Sequence, residues 1–111
     1  MDFKELGTNI GLEEDEYIEM MELFIESGGG DLVKLETAIN EGNAEKAHES
    51  SHSLKGSSGS LGLDTIFEIS KSIDDTLRTG KLDGVNEMVV KLRDEYETLK
   101  SVILKSIENK S

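Results

Sequence analysis

Residues Asn43–Gly62 read NAEKAHESSHSLKGSSGSLG. Set on an α-helix, Ala47, Leu54 and Leu61 fall on one narrow side, with Ser50, Ser57 and Ser58 nearby, while His52 stands opposite. A helix that buries so small a side must be packed closely by its neighbours, which argues for helix-on-helix architecture. Asn43 is suited to cap its first turn, and Gly62 to end it.

Helical periodicity continues on both sides of this segment. Tyr17, Ile18, Met20, Met21, Phe24 and Ile25 recur at helical spacing between Leu12 and Glu26. Ser27–Gly30, SGGG, then reads as an interruption, with Asp31 as the cap of a new helix carrying Leu32, Leu35, Ala38 and Ile39. Beyond Gly62, Asp64 reads as a cap, and Ile66, Ile69, Ile73 and Leu77 form a stripe that stops by Gly80. A last helix from about Asp83 carries Val85, Met88, Val89, Leu92, Tyr96, Leu99, Ile103 and Ile107. Such a repeat also suits a coiled coil, but in so short a chain it fits the inside of a bundle. The expectation is a single all-α domain over 1–111: an antiparallel up-down four-helix bundle across about 31–108, with an additional N-terminal helix across about 12–26.

Composition agrees. The 111 residues contain no proline, cysteine or tryptophan, and aromatics are scarce, which suits uninterrupted helices and leaves no disulfide to support the fold. A formal net charge of −12 argues against nucleic acid as a partner, since phosphate binding needs clustered Lys and Arg. The N-terminal MDFKELGTNIG has no apolar run of the signal-peptide kind, and no stretch approaches a membrane span, so the expectation is a cytoplasmic protein without a membrane association. Met1 and the polar C-terminal end favour a short independent chain.

On the helix around His52, Lys55 lies roughly 60° away, Gly56 roughly 40° and Gly59 roughly 20°. Glycine inside a helix costs about 1 kcal/mol relative to alanine, and here it is accepted twice beside one imidazole. Helical side chains lean toward the N-terminus, so a bulky residue at Gly56 would cover His52; glycine leaves the ring open to a large partner. Lys55 offers an ammonium suited to neutralising a phosphoryl oxygen. Neutral imidazole is a nucleophile near pH 7 without help from a base. Lys55→Ala is expected to slow transfer of such a group to and from His52, or to shorten the life of the phosphohistidine, with little loss of fold stability. Glu45 and Glu49 share the face, so the local field is mixed.

At this point the chain resembles the histidine-containing phosphotransfer (HPt) domains, whose HxLKGS[SA]xxLG signature is matched by His52, Leu54, Lys55, Gly56, Ser57, Ser58, Leu61 and Gly62. The resemblance runs from about Leu12 to Ile107 and is specific only in this motif. It implies a phosphocarrier of a two-component phosphorelay, not an enzyme, in which His52 exchanges a phosphoryl group with aspartates of response-regulator receiver domains or accepts one from a kinase, such as a hybrid sensor histidine kinase. It implies no cofactor on this chain, with Mg expected on the receiver, and a monomer docking its partner around Gly56 and Gly59. Aligned onward from the motif, Asp74 falls where some relatives carry a glutamine that bonds the imidazole. A carboxylate there departs from that pattern, yet can accept from Nδ1–H and orient the ring. Arg78 matches a position where some relatives place a basic residue near the phosphorylated site, although a charge at a helix C-terminus is favoured for its own sake.

His48 shares the face one turn before His52 and reads as a surface residue at the edge of the docking area. Two histidines at i and i+4 can chelate zinc, and Glu45 with His48 forms a Glu-x-x-His element known from bundle di-iron sites. A di-iron site needs a second such element, and the sequence has no third histidine. A metal-binding bundle through His48 and His52 is thus one alternative, and a receiver-docking module that is never phosphorylated is another. No Gly-rich phosphate loop or kinase element is present, so ATP-dependent autophosphorylation is not expected.

Overall fold

The computed structural model describes residues 1–110. Among these residues there are five helices and no strand: α1 (Phe3–Asn9), α2 (Glu14–Asn40), α3 (Ala44–Ser60), α4 (Asp64–Leu77) and α5 (Val85–Lys110). The fold is all-α, an antiparallel bundle of α2–α5 in which α2 packs on α3, α3 on α4, α4 on α5, and α5 back on α2; α1 lies against α2. The bundle is elongated, 43 × 24 × 17 Å.

The additional N-terminal helix differs from the expected one. α2 is continuous from Glu14 to Asn40, so neither a helix ending at Glu26 nor a bundle beginning at residue 31 describes the chain. The extra helix is the short α1, capped by the Asp2 carboxylate accepting from the Glu5 amide and held by buried Phe3. Gly28–Gly30 does not interrupt α2, because two of these glycines lie where the helix is crowded. A Cβ on Gly29 would overlap the Tyr96 hydroxyl of α5, and one on Gly28 would sit 3.3 Å from the Phe24 ring. The Tyr96 hydroxyl donates to the Ile25 carbonyl at 2.6 Å, so helix α5 comes close to α2 through the gap that glycine leaves. Asp31 is consequently an interior residue of α2, where its carboxylate accepts a 2.6 Å hydrogen bond from Ser53 Oγ of α3.

Both turns that frame α3 use the same device. Gly42 and Gly62 adopt φ of +70° and +72°, where glycine carries no Cβ penalty. Asn43 N donates to Ala38 O at 2.8 Å after α2, and Leu63 N to Ser58 O at 2.9 Å after α3, the 6→1 bond of a Schellman end. Asn43 caps α3 through its side chain, accepting from Lys46 N at 3.0 Å. Leu63, rather than Asp64, is the residue preceding α4.

The core is assembled from Tyr17, Met21, Leu32 and Leu35 of α2, Ala47 and Leu54 of α3, Ile66, Ile73 and Leu77 of α4, and Val85, Leu92, Tyr96 and Ile103 of α5. The narrow side of α3 is buried as its small residues require, with Ser50, Ser51 and Ser58 inside beside Ala47 and Leu54. Serine hydroxyls that face inward return to the helix itself: Ser58 Oγ donates to Leu54 O at 2.6 Å, and Ser51 Oγ to His48 O at 3.1 Å. The buried Tyr17 hydroxyl donates to Leu61 O at 2.6 Å, tying α2 to the end of α3. Burial raises the Tyr17 phenol above its ordinary pKa. This packing fixes the rotation of α3 and turns His52 outward.

Candidate functional site

His52 lies near the middle of α3 with 63 % of its side chain exposed. Around it the helix surface is low on one side: a Cβ placed on Gly56 would meet nothing within 4 Å. Gly59 is exposed too, and it has a packing reason of its own to be glycine. A Cβ there would press on the Phe67 ring of α4 at 3.0–3.1 Å, so glycine at 59 serves the close approach of α3 and α4.

The other side of His52 faces Asp74 of α4. Ile66, Ser70, Ile73 and Leu77 make the buried stripe of α4, and Asp74 falls within that stripe with no exposed surface. A buried carboxylate must be compensated by charge and hydrogen bonds. Its Oδ2 accepts from Lys55 Nζ at 2.9 Å and from Arg78 Nη2 at 3.3 Å. Its Oδ1 lies 2.9 Å from His48 Nε2. That contact is short enough for an ion pair but is not aligned as a hydrogen bond, and both atoms are buried without another partner. His52 Nδ1 is 3.9 Å from Oδ2, beyond hydrogen-bond distance. Burial alone would raise the Asp74 carboxyl; the Lys55 hydrogen bond and the charges of His48, Lys55 and Arg78 outweigh it, and the net shift is below the ordinary value.

Four of the residues singled out in the sequence, His48, His52, Lys55 and Arg78, therefore converge on a fifth, Asp74. The nitrogen of the His52 ring that faces Asp74 is Nδ1. His48 is not simply a surface residue at the docking edge. Its side chain is 37 % exposed, its Nε2 is turned inward to Asp74, and its ring lies nearly parallel to that of His52 with centroids 6.1 Å apart. Lys55, 20 % exposed, is committed to Asp74 rather than standing over the imidazole. Sequence reasoning missed this pairing, although a signal for it was present: Asp74 is the charged residue inside the apolar stripe of α4. Among the described residues no three His, Cys, Asp or Glu side chains are placed to hold a metal ion. No helix among them is long and apolar enough to cross a membrane.

Comparison with known proteins places this geometry in context. The family model for the Hpt domain matches residues 19–102. The fold is similar to the crystal structure of histidine-containing phosphotransfer protein B from Pseudomonas aeruginosa PAO1, with a TM-score of 0.85 and 21% identity, covering 98% of this chain and 95% of that one. It is similar too to the HPT domain of a sensor hybrid histidine kinase from Shewanella, with a TM-score of 0.84 and 17% identity, covering 98% and 94% of the two chains. No curated protein sequence gives a significant match.

Proposed function

Because the chain belongs to the Hpt domain family, we propose that it is a phosphocarrier of a two-component phosphorelay with His52 as the residue that carries the phosphoryl group. The observation that supports this most is the setting of the His52 ring: exposed, with Nδ1 toward Asp74, on a helix face kept low by Gly56. A receiver aspartyl phosphate, or a phosphorylated kinase, brings the group. The Nε2 lone pair attacks phosphorus, the bond from phosphorus to the aspartyl oxygen breaks, and the carboxylate leaves with that electron pair. Nδ1 keeps its proton, so positive charge develops on the ring next to the Asp74 carboxylate, which favours it. The reverse step passes the group to a receiver aspartate.

Phosphoryl transfer is mostly positioning and charge neutralisation. In this proposal the receiver supplies the divalent cation and most of the transition-state stabilisation, and no cofactor is assigned to this chain. Its own part is a nucleophile on a rigid helix, a nearby ammonium at Lys55, and an open surface at Gly56 for the partner. It acts as a stoichiometric carrier and not as a kinase, in the cytoplasm where receivers act.

The test is incubation with receivers carrying radiolabelled aspartyl phosphate. The wild-type protein is expected to take up acid-labile, alkali-stable label, and His52→Gln to take up none. Label that enters His52→Gln at the wild-type rate overturns the assignment, and receiver binding without any transfer favours a docking module.

A further inference from the structure

The ammonium expected to meet the phosphoryl group is bound elsewhere. Lys55 Nζ sits on Asp74 Oδ2 at 2.9 Å, and Arg78 shares that oxygen at 3.3 Å. Two donors thus occupy Oδ2, while His52 Nδ1 lies 3.9 Å from it. Oδ1 is in the opposite condition. It is buried, receives no aligned donor, and has His48 Nε2 2.9 Å away, itself buried and without a hydrogen bond. One oxygen is crowded and the other underused.

A phosphoryl group on Nε2 adds about two negative charges and three acceptor oxygens one helical turn from Lys55, and competes for its ammonium. Losing Lys55 would strip a fully buried carboxylate of its strongest partner, which is strongly unfavourable unless another donor takes its place. Two donors are in position to do so. His48 Nε2 is already 2.9 Å from Oδ1 and needs only alignment, His52 Nδ1 is 3.9 Å from Oδ2, and Arg78 remains as a charge at the rim.

We propose that phosphorylation of His52 exchanges the partners of Asp74: Lys55 moves to the phosphoryl oxygens, His52 Nδ1–H replaces it on Oδ2, and His48 closes onto Oδ1. The proposal rests on the phosphocarrier reading above. It makes His48 a positioning residue that acts through Asp74 and is not itself an acceptor. It also reconciles two demands on Lys55, since the same ammonium compensates the buried carboxylate at rest and the phosphoryl group when loaded.

Phosphoramidate tests this without any receiver. Its P–N bond breaks and the nitrogen leaves as ammonia while His52 Nε2 bonds to phosphorus. Ring-nitrogen signals of ¹⁵N-histidine protein, recorded before and after loading, report His48 directly. In the wild type the His48 Nε2 signal is expected to move on loading. In Lys55→Met the exchanged arrangement is available before loading, so most of that movement is expected to be lost; in Asp74→Asn it is lost as well. Should Asp74→Asn fail to fold, Lys55→Met alone decides. An equal movement in wild type and Lys55→Met is the direct field of the phosphoryl group and overturns the exchange, as does no movement in the wild type. Failure of phosphoramidate to label His52 overturns the phosphocarrier reading itself, a different outcome from labelled His52 with an unresponsive His48.

Discussion

At the scale of single residues, Asp74 and the two glycines of α3 carry consequences that differ from the sequence-based expectation. Lys55→Ala was expected to spare stability, but Lys55 is the closest hydrogen-bond donor to a fully buried carboxylate. Breaking a buried ion pair costs roughly 3–5 kcal/mol when nothing else compensates, and His48 and Arg78 remain here, so a loss of about 2 kcal/mol in urea unfolding is expected along with slower transfer. Asp74 also sets a pH dependence. Its pKa is lower folded than unfolded, so its contribution is complete above the unfolded value of about 3.9 and is lost as pH falls through the lower folded value. The stability gap between wild type and Asp74→Asn should therefore be wide at pH 6 and narrow toward pH 3; a gap independent of pH would contradict the depressed pKa. The glycines separate cleanly. Gly56→Ala has open space around its new methyl and should gain up to about 1 kcal/mol, whereas Gly59→Ala must displace Phe67 and should show no such gain in thermal unfolding. The sequence spoke clearly about His52 and Gly56, because an exposed residue and its neighbours on one helix are set by helical geometry alone. It was silent on what Gly59 packs against and on what Lys55 binds, because those depend on Phe67 and Asp74 of another helix.

At the scale of elements, α3, α4 and α5 were legible because each carries an apolar stripe and a terminal signal such as Asn43, Gly62 or Gly80. The break placed at Ser27–Gly30 was the main misreading. Glycine propensity disfavours a helix there by about 1 kcal/mol per residue, but the approach of Tyr96 and the packing of Phe24 and Leu32 hold α2 together. Nothing local in α2 announces the aromatic residue that lies across it on α5. The three glycines can be told apart by substitution. Gly29→Ala collides with the Tyr96 hydroxyl and should cost about 2 kcal/mol, while Gly30, with no atom near its Cβ position, should tolerate alanine with a gain of up to about 1 kcal/mol. Equal effects at both positions would show that the Tyr96 contact does not explain the glycine. The short α1 was missed because its seven residues are too few to give a periodic signal, and Asp2 with buried Phe3 is all that marks it.

At the scale of the whole molecule, the bundle is a rigid holder for one imidazole. α3 is clasped by α2 through Ser53–Asp31 and by α4 through the Asp74 cluster, so the face bearing His52 is braced from both sides. Farther from the site, Arg93 of α5 pairs with Glu36 of α2, bonds Glu97 at 3.0 Å and lies over the Tyr96 ring, joining the two longest helices. A carrier that must meet its receivers one at a time is best served as a single chain, and sedimentation is expected to give a monomer; a dimer persisting on dilution would contradict this. The central claim is that His52 Nε2 carries the phosphoryl group between receivers. The most direct measurement is phosphorus and ¹⁵N NMR of the protein after loading from a phosphorylated receiver, followed by addition of a second, unphosphorylated receiver. The account predicts a phosphoryl group bonded to Nε2 of His52 that disappears as the second receiver is labelled. A phosphoryl group on His48, on Nδ1 of His52, or one that the second receiver cannot remove would contradict it.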